Sequence, residues 1–277
     1  KVQKNNGLVL DGLCITKGCD TVAPSIYLNS FYEQYEKGVS LEQIVQDLLK
    51  VYRQNSYPPS LNQLVLSDYE SLSSRIAFRL INTASNQSFL KTVPHIPWMD
   101  LSIVFYLYIQ GNDNGIMTAA VSDYHMKTWG ITADELYTQS LLNTPRLFPP
   151  VISSMACILE NLDPEHLQYN PSLPETPFYV LTNKNGINGA ACVLYKDVIK
   201  NFAEGMDRDI LILPSSIHEV LLLPDDDQLP YRDLADLVTF INQTEVPAED
   251  RLSNQVYRYS RLKDQFSVVS FSPSSVC

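Results

Sequence analysis

Leu101-Ser102-Ile103-Val104-Phe105-Tyr106-Leu107-Tyr108-Ile109 is followed by the cluster Gln110-Gly111-Asn112-Asp113-Asn114-Gly115 and then by Ile116-Met117-Thr118-Ala119-Ala120-Val121-Ser122. The first run is dense in β-branched and aromatic residues, the cluster holds the Gly, Asn and Asp that reversals use, and the third run returns. Together they predict a β-hairpin. A helix is predicted soon after. Thr132-x-x-Glu135 forms a capping box, with Ile131 before the cap and Leu136 at the fourth helical position as a hydrophobic staple. That helix should end near Asn143, ahead of Pro145.

The same strand–strand–helix order is read elsewhere. Gly7–Thr16 alternates Leu8, Leu10 and Leu13 with other residues and can pair with Ser25–Asn29; Ser40-x-x-Gln43 then caps a helix carrying Leu41, Ile44, Val45, Leu48, Leu49 and Tyr52. Beyond Pro58-Pro59, Ser67-x-x-Glu70 predicts a second helix through about Asn82, carrying Leu72, Ile76, Phe78 and Leu80, with Pro94 and Pro97 closing the region. Phe178–Thr182 and Ala190–Tyr195 flank the turn Asn183–Gly189, and Asp197–Ala203 follows as a helix. Asp209–Leu213 and Glu219–Leu223 bracket Pro214–His218, ahead of a helix marked by Leu234, Leu237, Val238 and Ile241. Gln255–Ser260 and Gln265–Phe271 are the last predicted strands. The predicted class is α+β, with antiparallel sheets built from repeated strand-strand-helix units and helices covering one face. Residues 163–177 hold Pro164, Pro171, Pro174 and Pro177 and read as a proline-rich linker. It divides an N-terminal α+β half, 1–162, from a C-terminal α+β half, 178–277.

With 277 residues, 45% hydrophobic and 16 tyrosines among them, the chain can close a core without disulfides. Its five cysteines (Cys14, Cys19, Cys157, Cys192, Cys277) are odd in number and include no CxxC, which points to free thiols in a reducing, cytoplasmic setting. A net charge of -11 repels phosphate backbones and anionic lipid, so nucleic acid and membrane surfaces are disfavoured as partners. No apolar run approaches the roughly 20 residues of a spanning helix.

Leu213-Pro214-Ser215-Ser216-Ile217-His218-Glu219-Val220 is the one local cluster holding a nucleophile, a base and a carboxylate. On an extended chain Ser216 and His218 share a face that Glu219 does not, so the three do not converge locally, and the plain reading is a polar turn between strands. Leu222 stands where a zinc-protease helix would need a second histidine. His95, His125 and His166 have no His, Cys or carboxylate neighbour at ligand spacing, so no metal is expected. Asp123-Tyr124-His125 sits at a strand–helix junction, where polar residues are ordinary. Asp225-Asp226-Asp227 lacks EF-hand spacing and reads as a solvated acidic loop. Tyr257-Arg258-Tyr259 alternates faces and reads as sheet packing. Neither glycine-rich phosphate-binding pattern occurs, so no cofactor is expected.

Several stretches carry a resemblance that spans nearly the whole chain. They include Asn5-Asn6-Gly7 with Asp11-Gly12-Leu13, Ile26-Tyr27-Leu28-Asn29, Val93-Pro94-His95-Ile96, Ile103-Val104-Phe105-Tyr106 and Asn143-Thr144-Pro145-Arg146. Downstream are Tyr179-Val180-Leu181-Thr182-Asn183, Asn188-Gly189-Ala190-Ala191-Cys192 and Ile212–Val220. In these the chain resembles a bacterial family, domain of unknown function 5688, common in anaerobic Gram-positive bacteria. The resemblance implies a further helical segment before the first strand and a trimmed start at Lys1. It implies no activity and assigns no site residue. The expected function is a non-enzymatic interaction or regulatory protein with a protein partner. Its rivals are a hydrolase-like enzyme drawing on Ser215, Ser216 and His218 with an acid from elsewhere, and a mobile-element-linked defence or inhibitor protein.

Overall fold

A computed structural model describes residues 1–15, 25–54, 68–112, 115–162, 178–226 and 230–270. The proline-rich stretch 163–177 lies outside the described residues, as do Pro58-Pro59, Ser67, His166, Cys19, Cys277 and Asp227. At the N-terminus β1 (Val2–Gln3) pairs with β2 (Val9–Leu10), and β3 (Gly12–Cys14) pairs with β4 (Ser25–Tyr27). The continuous strand expected from Gly7 is split at Asp11 into β2 and β3, which pair with different partners, while Asn6 (φ 57°) and Gly7 (φ 72°) make the left-handed turn between β1 and β2. The β3–β4 hairpin is the expected one. Two helices follow, α1 (Asn29–Glu36) and α2 (Leu41–Gln54), and the Ser40 hydroxyl caps α2 by accepting the Gln43 amide at 3.2 Å.

The helix predicted through Asn82 is instead one turn, α3 (Tyr69–Leu72), capped by Asp68, and then a strand, β5 (Ile76–Asn82). Burial gives the reason. Ile76, Ala77, Phe78, Leu80 and Ile81 are all buried on alternating sides, and a run apolar on both faces suits a sheet covered on both faces. After α4 (Gln87–Leu90), β6 (His95–Trp98), β7 (Leu101–Asn112) and β8 (Gly115–Ala120) complete a four-stranded antiparallel sheet. β7 is its centre. β5 pairs along one edge, from Ile76 opposite Leu107 to Asn82 opposite Leu101, while β6 and then β8 occupy the other.

Next come α5 (Asp123–Trp129) and α6 (Ala133–Leu147). The α6 capping box forms as expected, with the Glu135 carboxylate accepting the Thr132 amide at 2.8 Å. The helix runs past Pro145, forfeiting the one intrahelical bond that this residue has no N–H to donate. α6 also seals the free edge of β5. Its Thr144 hydroxyl accepts the Phe78 amide at 3.1 Å, and the Asn143 amide donates to the carbonyls of Ser73 and Ile76 at 2.7 and 3.0 Å.

The remaining elements are β9 (Pro150–Ser154), α7 (Met155–Leu162), β10 (Tyr179–Asn183), α8 (Val198–Met206), β11 (Ile210–Leu213), β12 (Val220–Pro224), α9 (Tyr231–Thr244), β13 (Tyr257–Ser260) and β14 (Gln265–Val268). Their strands form a six-stranded antiparallel sheet in the order β14-β13-β11-β12-β10-β9. The strand predicted at Ala190–Tyr195 is a 3-10 segment, Gly189–Leu194. Every residue from Gly189 to Val193 is buried, so the run is apolar because it is packed between elements and not because it is pleated. β10 pairs with β12 and β9 instead.

One core joins the two sheets. Ile76, Phe78, Leu101, Ile103 and Phe105 of the first pack with Leu181, Ile210, Ile212, Leu222 and Tyr257 of the second, with Leu136 of α6 and the 3-10 segment between them. The outer face of the six-stranded sheet, Leu211, Leu213 and Leu223, is covered by Leu234 and Val238 of α9. Among the described residues no helix is long and apolar enough to cross a membrane.

Candidate functional site

The segment singled out in the sequence, Leu213–Val220, is the connection between β11 and β12 of the six-stranded sheet. Residues 250–252 run antiparallel beside it. Ile217 donates its amide to the Asp250 carbonyl at 2.8 Å, Leu252 to the Ser215 carbonyl at 3.0 Å, and Ser216 bridges Arg251. The N-terminus clamps the far side of this segment: Asn5 donates to the Glu249 carbonyl, and Asn6 to those of Ala248 and Arg251, at 2.7 to 2.8 Å. Three of the stretches that carry the family resemblance, at Asn5-Asn6-Gly7, Asn188–Cys192 and Ile212–Val220, therefore converge here.

His218 is the hub. Its Nδ1 accepts the Asn188 amide at 3.3 Å, so in the neutral ring the proton sits on Nε2 and is donated to Asp250 Oδ1 at 3.2 Å. Its carbonyl accepts the Thr182 hydroxyl at 2.8 Å. Asn188 reaches the ring by adopting a left-handed conformation (φ 54°), and Gly189 follows it tightly packed. The Ser216 hydroxyl, buried, accepts the backbone amide of His218 at 3.0 Å. Ser215 and Glu219 are half-buried, and no hydrogen bond joins Ser215, Ser216 or Glu219 to the His218 ring. The structure thus brings His218 together with an acid, Asp250, but directs the neighbouring serine toward backbone.

The other sequence candidates hold the fold. His125 stands in α5 with Nδ1 accepting the Ser122 amide at 3.0 Å, its ring stacked on Trp129, and burial lowers its pKa. His95 bonds the Val93 carbonyl at 3.1 Å. Asp225 is buried against Arg258, whose Nε lies 2.9 Å from it, and accepts the Tyr231 hydroxyl at 2.9 Å. Tyr257 and Tyr259 face inward, donating to Asp100 and Asp264 at 2.5 Å, while Arg258 between them faces Asp209 and Asp225. Among the described residues no group of three or more His, Cys, Asp or Glu side chains could hold a metal ion. A shallow depression of about 350 Å³ lies at the end of α5, lined by Asp123, Met126, Lys127, Gly130 and Ile131.

Sequence reasoning passed over Asp250, Arg79 and Tyr106. Arg79 and Tyr106 lie on one face of β5 and β7, diagonally opposed, and Tyr106 is buried there. Desolvation lowers the Arg79 pKa and raises that of Tyr106. An arginine inside an apolar strand run, Ile76–Ile81, was the available signal.

Fold and site together define an α+β protein with two main antiparallel sheets, whose polar seam is tied mainly to backbone groups. The chain belongs to a family of unknown function (DUF5688), which matches it over residues 1–261. No curated protein and no solved structure matches it.

Proposed function

We propose that the protein is a non-enzymatic interaction or regulatory protein that docks a partner on the paired helices α1 and α2. One observation carries this reading: Tyr32, Tyr35, Leu41 and Val45 are 61%, 54%, 65% and 44% exposed, while Ile44 is the sole buried residue of α2. Leaving such a stripe in water forgoes about 25 cal/mol for each Å² of apolar surface that a partner could cover. Glu33, Glu36 and Glu42 border the stripe, and the whole chain carries a charge of -11. The fitting partner is a protein segment with apolar anchors and a basic rim.

Support for this over a hydrolase comes from the seam, where both His218 ring nitrogens are engaged and the Ser216 hydroxyl accepts a backbone amide. The exposed free thiols Cys14 and Cys157 suit a reducing compartment such as the cytoplasm. The test is Leu41→Asp combined with Val45→Asp. A stoichiometric partner should co-purify from the native host with the wild-type chain and be lost from the double variant, whose circular dichroism and melting temperature stay unchanged. A partner retained by the variant would sink the reading, as would a wild-type monomer with no stoichiometric companion.

A further inference from the structure

The apolar residues of α2 stand in an order that reads the same from either end. Leu41, Val45, Leu48 and Tyr52 are spaced four, three and four apart, so they form one stripe along the helix. Leu41 and Val45 are 65% and 44% exposed, and Leu48 and Tyr52 are half-buried. One flank of the stripe belongs to the chain's own packing, since Ile44 is buried and Asp47 and Val51 are half-buried. The other flank is open: Glu42, Gln46 and Arg53 are exposed, with half-buried Leu49 among them.

Charge along α2 is ordered as well. Its acids, Glu42 and Asp47, stand in the first half and its bases, Lys50 and Arg53, in the second. That order suits the helix macrodipole, and it also makes the helix complementary to its own reverse. An antiparallel neighbour centred between positions 46 and 47 sets Leu41 beside the second copy's Tyr52 and Val45 beside the second copy's Leu48. Glu42 then meets the second copy's Arg53 along the open flank. Two-fold symmetry makes each of these contacts twice. A parallel neighbour would instead set Glu42 against Glu42 and Arg53 against Arg53.

We propose that the occupant of the α1–α2 surface is a second copy of this chain, paired through α2 in an antiparallel, two-fold arrangement. The inference rests on the docking surface proposed above and names its partner: the second half of α2 itself offers apolar anchors, Leu48 and Tyr52, rimmed by Lys50 and Arg53. The 14 residues of α2 span about 21 Å, so the contact is smaller than a standard interface and the dimer is a weak, reversible one. Two chains of charge -11 repel at long range, and salt at about 0.15 M screens that repulsion beyond about 8 Å.

The experiment is sedimentation equilibrium of the full chain from roughly 1 to 500 μM in about 0.15 M salt, which should show a monomer–dimer equilibrium. Glu42→Arg and Arg53→Glu each place like charges together at two symmetric positions, and each should weaken dimerisation about tenfold or more. Mixed in equal amounts, the two variants should recover association to within about threefold of wild type, because each substituted position then faces an opposite charge. Both variants stay net negative, so bulk charge attraction does not produce that recovery. Single variants that dimerise as well as wild type would overturn the proposal, as would a mixture that recovers nothing. Should either variant fail to fold, hydrogen exchange of the wild-type chain decides. Raising its concentration should slow exchange within residues 41–54, and slowing absent there counts against the pairing. A chain that stays monomeric throughout also overturns it. If a host protein then still co-purifies and is lost with Leu41→Asp and Val45→Asp, the docking surface stands with another occupant; if none does, both readings fall.

Discussion

A methyl group placed on Gly189 would come within 2.2 Å of the Thr182 hydroxyl oxygen and 2.3 Å of the His218 carbonyl oxygen. These two atoms bond each other, so neither can retreat without breaking the tie between β10 and the His218 loop. Gly189→Ala is therefore expected to cost about 1–3 kcal/mol, the usual range for overpacking, and to lower the urea midpoint without changing its slope. An unchanged midpoint would show that the loop yields freely. Three residues on, Cys192 is fully buried, and its surroundings push the thiol pKa up to about 12, chiefly through desolvation. A thiol-reactive dye should label Cys14 and Cys157 quickly and Cys192 only at the rate of unfolding; rapid labelling of Cys192 in the native protein would contradict its burial. At this scale the sequence shows the Ser-Ser-Ile-His-Glu string, because its residues are adjacent in the chain. It could not show Asp250, which reaches His218 from 32 residues further on, nor that the Ser216 hydroxyl turns to backbone.

Local elements were legible where their signal is local. The caps of α2 and α6 and the β7–β8 hairpin each depend on residues within a few positions of one another, and each formed as read. β5 and the 3-10 segment Gly189–Leu194 were misread because their apolar residues answer to distant partners on two sides, which erases the period that separates helix from strand. α5 escaped notice for another reason: its capping box uses histidine at the position where glutamate or glutamine is the recognised residue. That substitution makes the helix pH-sensitive. Neutral His125 accepts the Ser122 amide at Nδ1, and burial lowers its pKa below the ordinary 6.5. A base with a lowered folded pKa is protonated more readily in the unfolded chain, so its stability contribution is complete above about pH 6.5. It is lost as pH falls through that value toward the folded pKa. The melting temperature should thus decline on acidification below about pH 6.5, and His125→Gln, which preserves a capping-box acceptor, should remove that part of the slope. Coincident slopes in the two proteins would assign the acid sensitivity elsewhere.

Across the whole molecule, the contacts that join the two sheets come from residues far apart in the chain. Asp100, just before β7, accepts the Tyr257 hydroxyl at 2.5 Å and the Ser253 hydroxyl at 2.6 Å. Trp98 packs edge-on against both Tyr257 and Phe266, and Asn82 donates to the Leu252 carbonyl at 2.9 Å. β9 and β10, which flank the proline-rich stretch 163–177 in sequence, are paired neighbours in one sheet, from Tyr179 opposite Ser154 to Asn183 opposite Pro150. Sequence composition could mark that stretch as polar and proline-rich but carries no record of which strands pair across it. Division at this point has a direct test, a specific protease site inserted between residues 163 and 177. If the halves are independent domains, the cleaved fragments should separate on dilution and each should unfold in its own cooperative transition. The shared core and the β9–β10 pairing predict the other result. The fragments should remain associated through size-exclusion chromatography and unfold together in a single calorimetric transition, because parting them would expose Ile76, Phe78, Ile103 and Phe105 on one side and Leu181, Ile212 and Leu222 on the other. Burying seven such side chains, at about 1.5–3 kcal/mol each, is comparable to the whole stability of a typical domain, so neither fragment is expected to keep its sheet alone.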